Sequence, residues 1–429
     1  MKIKSFMIIM GLSAVALSCK KNSSEEEIKV KTIDDIVVPT GFNWATSRDV
    51  NLSIGVSDNR FADGIFVISV YNGDPANNGA LISQGSATFL SPFNTRVSLP
   101  NTITEVYAVK TAPDNTSVTQ KITVNTTNIS ASIGTQGIRK SVDGIAVNAL
   151  FDADNDGVLD LLDAYPNDAS KAYNNYSINY NGGGSTAAFE DNFPAKGDYD
   201  VNDIVLSYKY NVITNASNRV AAISATYVLQ ATGGTFNNGA GIQFNLSAAS
   251  ATGFTSTGGA FLESGQDSVV VILFTNGRNE QATYNTRPGE NASAAKTYTV
   301  NFNVTNGPLL SIFGVTTYNP FIYNGTPGYG RGYETHLYGD APTKLANVSL
   351  FGTRDDRSVA PRYYVTANRL PFAIEVPTAN FKYPIEGASI NDAYLRFANW
   401  AESGGLLFGD WYANILLPGY RDNSKLYGN

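Results

Sequence analysis

The run Val50-Asn51-Leu52-Ser53-Ile54-Gly55-Val56 alternates apolar and small or polar residues without a break, and Tyr298-Thr299-Val300-Asn301-Phe302-Asn303-Val304 does the same. A period of two places every second side chain on one face of a pleated strand, so both runs predict half-buried β-strands and not helix. Outward from the first run, strand signals recur at Ile65 to Tyr71, Val106 to Lys110 and Ile122 to Val124, separated by Gly, Pro, Asn and Asp. Short strands at that spacing imply a small immunoglobulin-like β-sandwich over residues 36–130. Strands resume at Asp203 to Val212, Val220 to Gln230, Ile242 to Leu246 and Ser268 to Thr275. This second block, residues 173–429, is too long for one minimal sandwich. One helix is expected, Ile390 to Ala401, with Ser389 as N-cap and Gly404-Gly405 after its end. The fold class is therefore mainly β: an immunoglobulin-like sandwich, an Asp-rich connector at 131–172, and a large C-terminal β-sandwich with a short helix. No period of twenty to fifty residues repeats, which disfavours a solenoid or propeller.

The connector carries the most explicit chemistry. Asp152, Asp154, Asp156, Asp160 and Asp163 fall within Asp152-Ala-Asp-Asn-Asp-Gly157-Val158-Leu-Asp-Leu-Leu-Asp163. Calcium takes six to eight oxygens, and loop positions 1, 3, 5 and 12 with a carbonyl at 7 supply them if a glycine at 6 permits the turn. Asp152, Asp154, Asp156, the Val158 carbonyl and Asp163 occupy those places, with Gly157 at the turn. Position 12 is Asp163 where an EF-hand has glutamate, and no amphipathic helix precedes Asp152, so an ordinary EF-hand is disfavoured. With Asp160 and Pro166 included, the segment from Asp152 to about Asp168 resembles a single thrombospondin type 3 repeat, which implies a calcium-wrapped linker.

A second acidic group lies in Phe189-Glu190-Asp191-Asn-Phe-Pro-Ala-Lys-Gly197-Asp198-Tyr-Asp200-Val-Asn202-Asp203. In an extended segment Asp198, Asp200 and Asn202 point to one side and Asp203 to the other. A turn at Gly197 brings Glu190 or Asp191 back towards them, which would complete an oxygen cage. The alternative is that these residues form turns and cap exposed amides. Every candidate ligand is an oxygen, so calcium is the preferred metal.

The pattern Phe189-Glu190-Asp191 with Gly197-Asp198-Tyr199-Asp200-x-Asn202-Asp203 resembles the hallmark of the LruC domain family of bacterial outer-membrane lipoproteins. Further matching segments are Ser349-Leu-Phe351-Gly352-Thr353 with Asp355-Asp356, Leu370-Pro371, Tyr383-Pro384, Trp400-Ala-Glu402-Ser403-Gly404-Gly405 and Asp410-Trp411-Tyr412. The resemblance spans roughly residues 173–429. It implies an outer-membrane or surface lipoprotein with a β-rich C-terminal domain, and brings no catalytic residue with it.

At the N-terminus Lys2 and Lys4 precede an apolar run from Phe6 to Leu17 and then Ala16-Leu17-Ser18-Cys19. This has the plan of a lipoprotein signal peptide over residues 1–18, and the run is shorter than the roughly twenty residues a membrane span needs. Cys19 is the single cysteine, unable to form an intramolecular disulfide and placed where lipidation requires it. Residues 19–35 read as a flexible tether, within which Ser23-Ser24-Glu25-Glu26-Glu27 resembles an acidic surface-export signal. The expected location is the outer membrane, attached through the N-terminal lipid. Removing residues 1–18 leaves 28 basic against 37 acidic side chains, a formal charge of −9. That balance disfavours nucleic acid as a partner.

His336 is the single histidine, so histidine-based hydrolysis and zinc catalysis are both starved of residues. Gly182-Gly183-Gly184 is a turn without phosphate-loop context. No catalytic constellation stands out, and the chain is expected to act by binding or structural display, with an extracellular protein or glycan as possible partner. The alternative is a glycan-binding protein or glycosidase of a polysaccharide-capturing system. Glycosidases need only two carboxylates, and Tyr318 to Tyr323, Tyr329 to Tyr333 and Trp411-Tyr412 could offer flat faces to sugars.

Overall fold

A computed structural model describes residues 31–61, 64–135, 151–413 and 417–428. The expected signal peptide, Cys19, the tether up to residue 30 and connector residues 136–150 lie outside the described residues.

Seven strands build the first sandwich: β1 (Ser47–Val56), β2 (Phe66–Tyr71), β3 (Leu81–Ala87), β4 (Phe93–Pro100), β5 (Glu105–Thr111), β6 (Ser117–Thr123) and β7 (Asn128–Ile133). They form sheets ordered β4-β1-β7 and β3-β2-β5-β6. β1 runs antiparallel to β4 and parallel to β7. The alternation read in β1 is realised: Val50, Leu52, Ile54 and Val56 are buried against Phe66, Ile68 and Val70 of the facing sheet. Each such side chain contributes roughly 1.5–3 kcal/mol of burial. One ion pair sits inside, where the buried Lys110 ammonium donates to the buried Asp58 at 2.6 Å and to the Gly134 carbonyl at 2.8 Å.

The second sandwich comprises β8 (Tyr173–Tyr176), β9 (Ser185–Phe189), β10 (Ile204–Thr214), β11 (Val220–Ala231), β12 (Asn238–Ser247), β13 (Ala251–Ser256), β14 (Phe261–Leu262), β15 (Ser268–Phe274), β16 (Lys296–Val304), β17 (Asn319–Asn324), β18 (Glu334–His336) and β19 (Ala373–Val376). One sheet is ordered β13-β16-β11-β10-β9-β19, with β8 also on β10, and the other β14-β15-β12-β17-β18. Tyr210, Tyr227, Phe244, Phe302 and Tyr318 pack between them. The two sandwiches are sewn together by side-chain amides, of which Asn175 is buried and Asn218 half-buried. Asn175 accepts from Ser83 Oγ at 2.7 Å and Gln84 N at 2.8 Å, and Asn218 exchanges bonds with the Ser86 backbone at 2.8 and 2.9 Å.

Three short helices occur among the described residues: α1 (Leu310–Phe313), α2 (Ile390–Ala393) and α3 (Phe397–Glu402). The single helix expected from Ile390 to Ala401 is thus broken. Ser389 caps it as expected, its hydroxyl accepting from Asn391 N, but Tyr394 is extended. Tyr394 bridges to Arg421, Leu395 N donates to the Tyr420 carbonyl, and the Tyr394 hydroxyl reaches the Lys382 carbonyl at 2.6 Å. Pairing with the C-terminal segment wins over helix propagation there. These helices belong to an aromatic module in which Trp44, Tyr394, Phe397, Trp400 and Trp411 pack together. Ile36, Val38, Phe42 and Trp44, which the sequence places with the first sandwich, are buried in this module instead. The module covers the outer face of the large sheet, so that Val205 of β10 enters its core while the neighbouring Leu206 enters the sandwich.

Two candidate cation sites

Tight side-chain-to-backbone bonds shape the connector loop. Asp152 accepts from Asn155 N at 2.8 Å and Gly157 N at 3.0 Å, Asp154 from Asp156 N at 3.2 Å, and Asp156 from Val158 N at 2.8 Å. Asp160 reaches back to Ala153 N at 2.8 Å, and Asp163 accepts from Tyr165 N at 2.6 Å. Gly157 has φ +95°, a left-handed turn that suits glycine. Oxygens of Asp152, Asp154 and Asp156 lie within 4.8 Å of one another. One oxygen each of Asp154, Asp156 and Asp163 is buried without a donor. Burial pushes the Asp163 carboxyl up to about 6, reinforced by the charges of Asp156, Asp154 and Asp152. The Val158 side chain is buried with Val67, Ala172 and Tyr173, so the loop is docked on a small core of its own.

The second cluster joins the β9–β10 connection to the aromatic module. The extended conformation expected for residues 198–203 is not found: Tyr199 and Val201 have φ of 60° and 47°, so the chain coils. Left-handed backbone is costly for a β-branched residue such as Val201 and persists where the surroundings hold it. Here the holding bonds are Glu190 Oε1 accepting from Val201 N at 2.7 Å, Asp200 accepting from Asn202 N at 3.2 Å and Gly387 N at 2.8 Å, and Ile390 N donating to the Tyr199 carbonyl at 2.6 Å. The coil brings oxygens of Glu190, Asp198 and Asp200 within 4.8 Å of one another. Gly197 permits this approach, because a Cβ there would stand 1.5 Å from Glu190 Oε2.

Asp191 and Asp203 face elsewhere. Asp203 accepts from Asp191 N at 2.9 Å, and Asp191 accepts from Asn238 Nδ2 at 2.6 Å. Glu190 and Asn202 are wholly buried, and Glu190 Oε2 and Asn202 Oδ1 have no donor. Burial, then the charges of Asp200 and Asp198, drives Glu190 far above the usual carboxylate range. Burial, then Asp191, Glu190 and Asp200, does the same for Asp203. Asp200 is pushed up to about 7 by burial and Asp198, and Asp191 to about 6 by burial. Lys196, the nearest lysine in the chain, is committed to Asp34 at 2.5 Å. Sequence reasoning missed Asn238, the Gly233–Gly234 turn and residues 384–387, where the Pro384 carbonyl accepts from Asn202 Nδ2 at 3.1 Å. The Gly-Gly pair was visible, but turn glycines are too common to mark a site.

His336 is buried between the rings of Phe321 and Tyr364, its Nδ1 on Asn319 at 2.5 Å and its Nε2 on Glu334 at 2.9 Å. Its environment is a closed packing network. Tyr318, Phe321, Tyr323, Trp411 and Tyr412 are likewise buried, while Tyr329 is exposed beside Phe236 and Tyr333. A cleft of about 410 Å³ opens at the seam of the sandwiches, lined in part by Trp44, Asp49, Tyr338, Asp340 and Glu375. Burial pushes both Asp340 and Glu375 up to about 7. No helix among the described residues is long and apolar enough to cross a membrane.

Mainly β architecture with acidic, oxygen-rich sites defines the class of molecule. Residues 218–412 match a family described as a domain of unknown function, DUF4842. A crystal structure of a candidate lipoprotein from Bacteroides ovatus is similar, with a TM-score of 0.56 at 14% identity over 84% of this chain and 98% of that one. At that identity the likeness establishes a shared fold. No curated protein matches the chain.

Proposed function

We propose that this chain is a calcium-stabilised, lipid-anchored protein of the bacterial outer membrane that acts by binding or structural display, with no catalytic step of its own. The observation that carries the reading is the set of buried, donorless oxygens on Asp154, Asp156 and Asp163 in a loop with calcium-ligand spacing. A carboxylate oxygen buried without a donor is costly, and a hard cation with oxygen preference relieves the cost. The thrombospondin type 3 resemblance supports calcium in the connector, and the LruC resemblance supports an outer-membrane lipoprotein of surface type. Lipid on Cys19 would supply the attachment, and the fold shared with a candidate lipoprotein agrees with it. The second cluster would act as another calcium cage, fixing the start of the C-terminal sandwich. Calorimetric titration of chelator-treated residues 20–429 tests this, with saturable calcium heat expected and a reduced heat in Asp154→Ala/Asp156→Ala. A titration without saturable heat would remove the calcium reading, and labelled-lipid incorporation lost in Cys19→Ala tests the anchor.

One observation favours a second reading, glycan binding or glycosidase action: the seam cleft holds three carboxyls, Asp49, Asp340 and Glu375, beside Trp44 and Tyr338. Titration of surface oligosaccharides against wild type and Asp340→Asn separates the readings. Binding that Asp340→Asn weakens would favour the glycan reading.

A further inference from the structure

The second cluster is divided by its own geometry. Glu190, Asp198 and Asp200 gather around one point. The remaining oxygens converge on a different wall, the Gly233–Gly234 turn between β11 and β12. A Cβ on Gly234 would stand 2.1 Å from Asp191 Oδ2 and 2.8 Å from Asp203 Oδ1, and a Cβ on Gly233 would stand 2.1 Å from Asn202 Oδ1. Three oxygens therefore crowd a strip where the chain carries no side chain. Each half also holds a donorless oxygen on a wholly buried residue, Glu190 Oε2 in one and Asn202 Oδ1 in the other.

Charge leads to the same division. With all five carboxyls of Glu190, Asp191, Asp198, Asp200 and Asp203 ionised on binding, one divalent ion leaves three negative charges uncompensated in a place where Asp198 alone is exposed, and two ions leave one. The halves adjoin, since Asp198 and Glu386 each act electrostatically on both Asp191 and Asp200.

We infer that this cluster is a paired-cation site, with one calcium-class divalent ion held by Glu190, Asp198 and Asp200 and a second by Asp191, Asn202 and Asp203. This deepens the calcium reading given above and rests on it. Three protein side chains per ion are fewer than calcium's six to eight oxygens, so carbonyls and water complete each shell. Asp200 is bonded to Gly387 N, and Asn202 to the Pro384 carbonyl. Loading both halves therefore fastens the segment that leads into the aromatic module onto the β9–β10 connection.

Native mass spectrometry of residues 20–429 in calcium counts bound ions directly. Asp198→Asn and Asp203→Asn, the less buried member of each half, should each remove one ion relative to wild type, and the double variant two. Circular dichroism and the retention of connector ions show that the variants fold. A single ion lost alike in both single variants and in the double would mean one cage, overturning the pairing while leaving the calcium reading intact. An unchanged ion count in the double variant would overturn the pairing and the second cage together. Loss of connector ions in Asp154→Ala/Asp156→Ala reports separately on the broader reading.

Discussion

The connector loop and the second cluster use the same ligand chemistry in opposite ways. In the connector every carboxylate comes from one run of twelve residues, and each caps an amide of that run or, for Asp163, of Tyr165 just beyond it. In the second cluster the ligands are fixed by Asn238, Gly387 and Pro384, which are distant in sequence, and Glu190 has no contact with solvent. A local loop can be emptied at modest cost, because water reaches much of it. A buried group of carboxylates has no such recourse, so its occupancy is coupled to the packing of the whole module.

That contrast can be broken by mutation. Glu190→Ala in calcium is expected to have the largest effect, about 3–5 kcal/mol by analogy with breaking a buried ion pair. Chemical denaturation with and without chelator measures it, and an effect no larger than that of a connector variant would erase the contrast. Glu375 serves as a control, a buried carboxylate with no candidate cation. Its carboxyl stands at about 7 against an ordinary 4.5, so the folded chain keeps a proton that the unfolded chain releases. Its contribution is complete below pH about 4.5 and is lost as pH rises to about 7, a swing of up to about 3 kcal/mol. Glu375→Gln should flatten that part of the stability–pH curve equally with calcium and with chelator; a curve unchanged by the substitution would reject the assignment.

Asp154→Ala/Asp156→Ala should cost about 2.7 kcal/mol more at a hundredfold calcium excess over its dissociation constant than in chelator, where only the two lost bonds to Asp156 N and Val158 N count. Limited proteolysis should then cut near residues 151–168. Resistance equal to wild type would show that the Val158 core alone holds the loop. The smallest effect is expected at Ser389→Ala, about 1 kcal/mol for a lost N-cap, read as a small shift in melting temperature independent of calcium.

Periodicity made the strands legible, because Val50 to Val56 and Tyr298 to Val304 each need one dry face. The connector was legible for a related reason, since its ligands and turn glycine share one short run. Tyr394 was not, because the residues that draw it out of helix, Tyr420 and Arg421, lie far along the chain. The coil at Tyr199 and Val201 was hidden similarly: aspartates spaced by two look extended until Glu190 and Gly387 are seen holding the turn. The placement of Ile36 to Trp44 with the C-terminal aromatics is a long-range packing choice that apolar residues near a strand do not disclose.

The most direct test is the melting temperature of chelator-treated residues 20–429 across a calcium titration, followed alongside binding heat. The account predicts saturable heat and a melting temperature that keeps rising with the logarithm of free calcium after the heat has saturated, as linkage requires. A melting temperature indifferent to calcium, with no saturable heat, would contradict it.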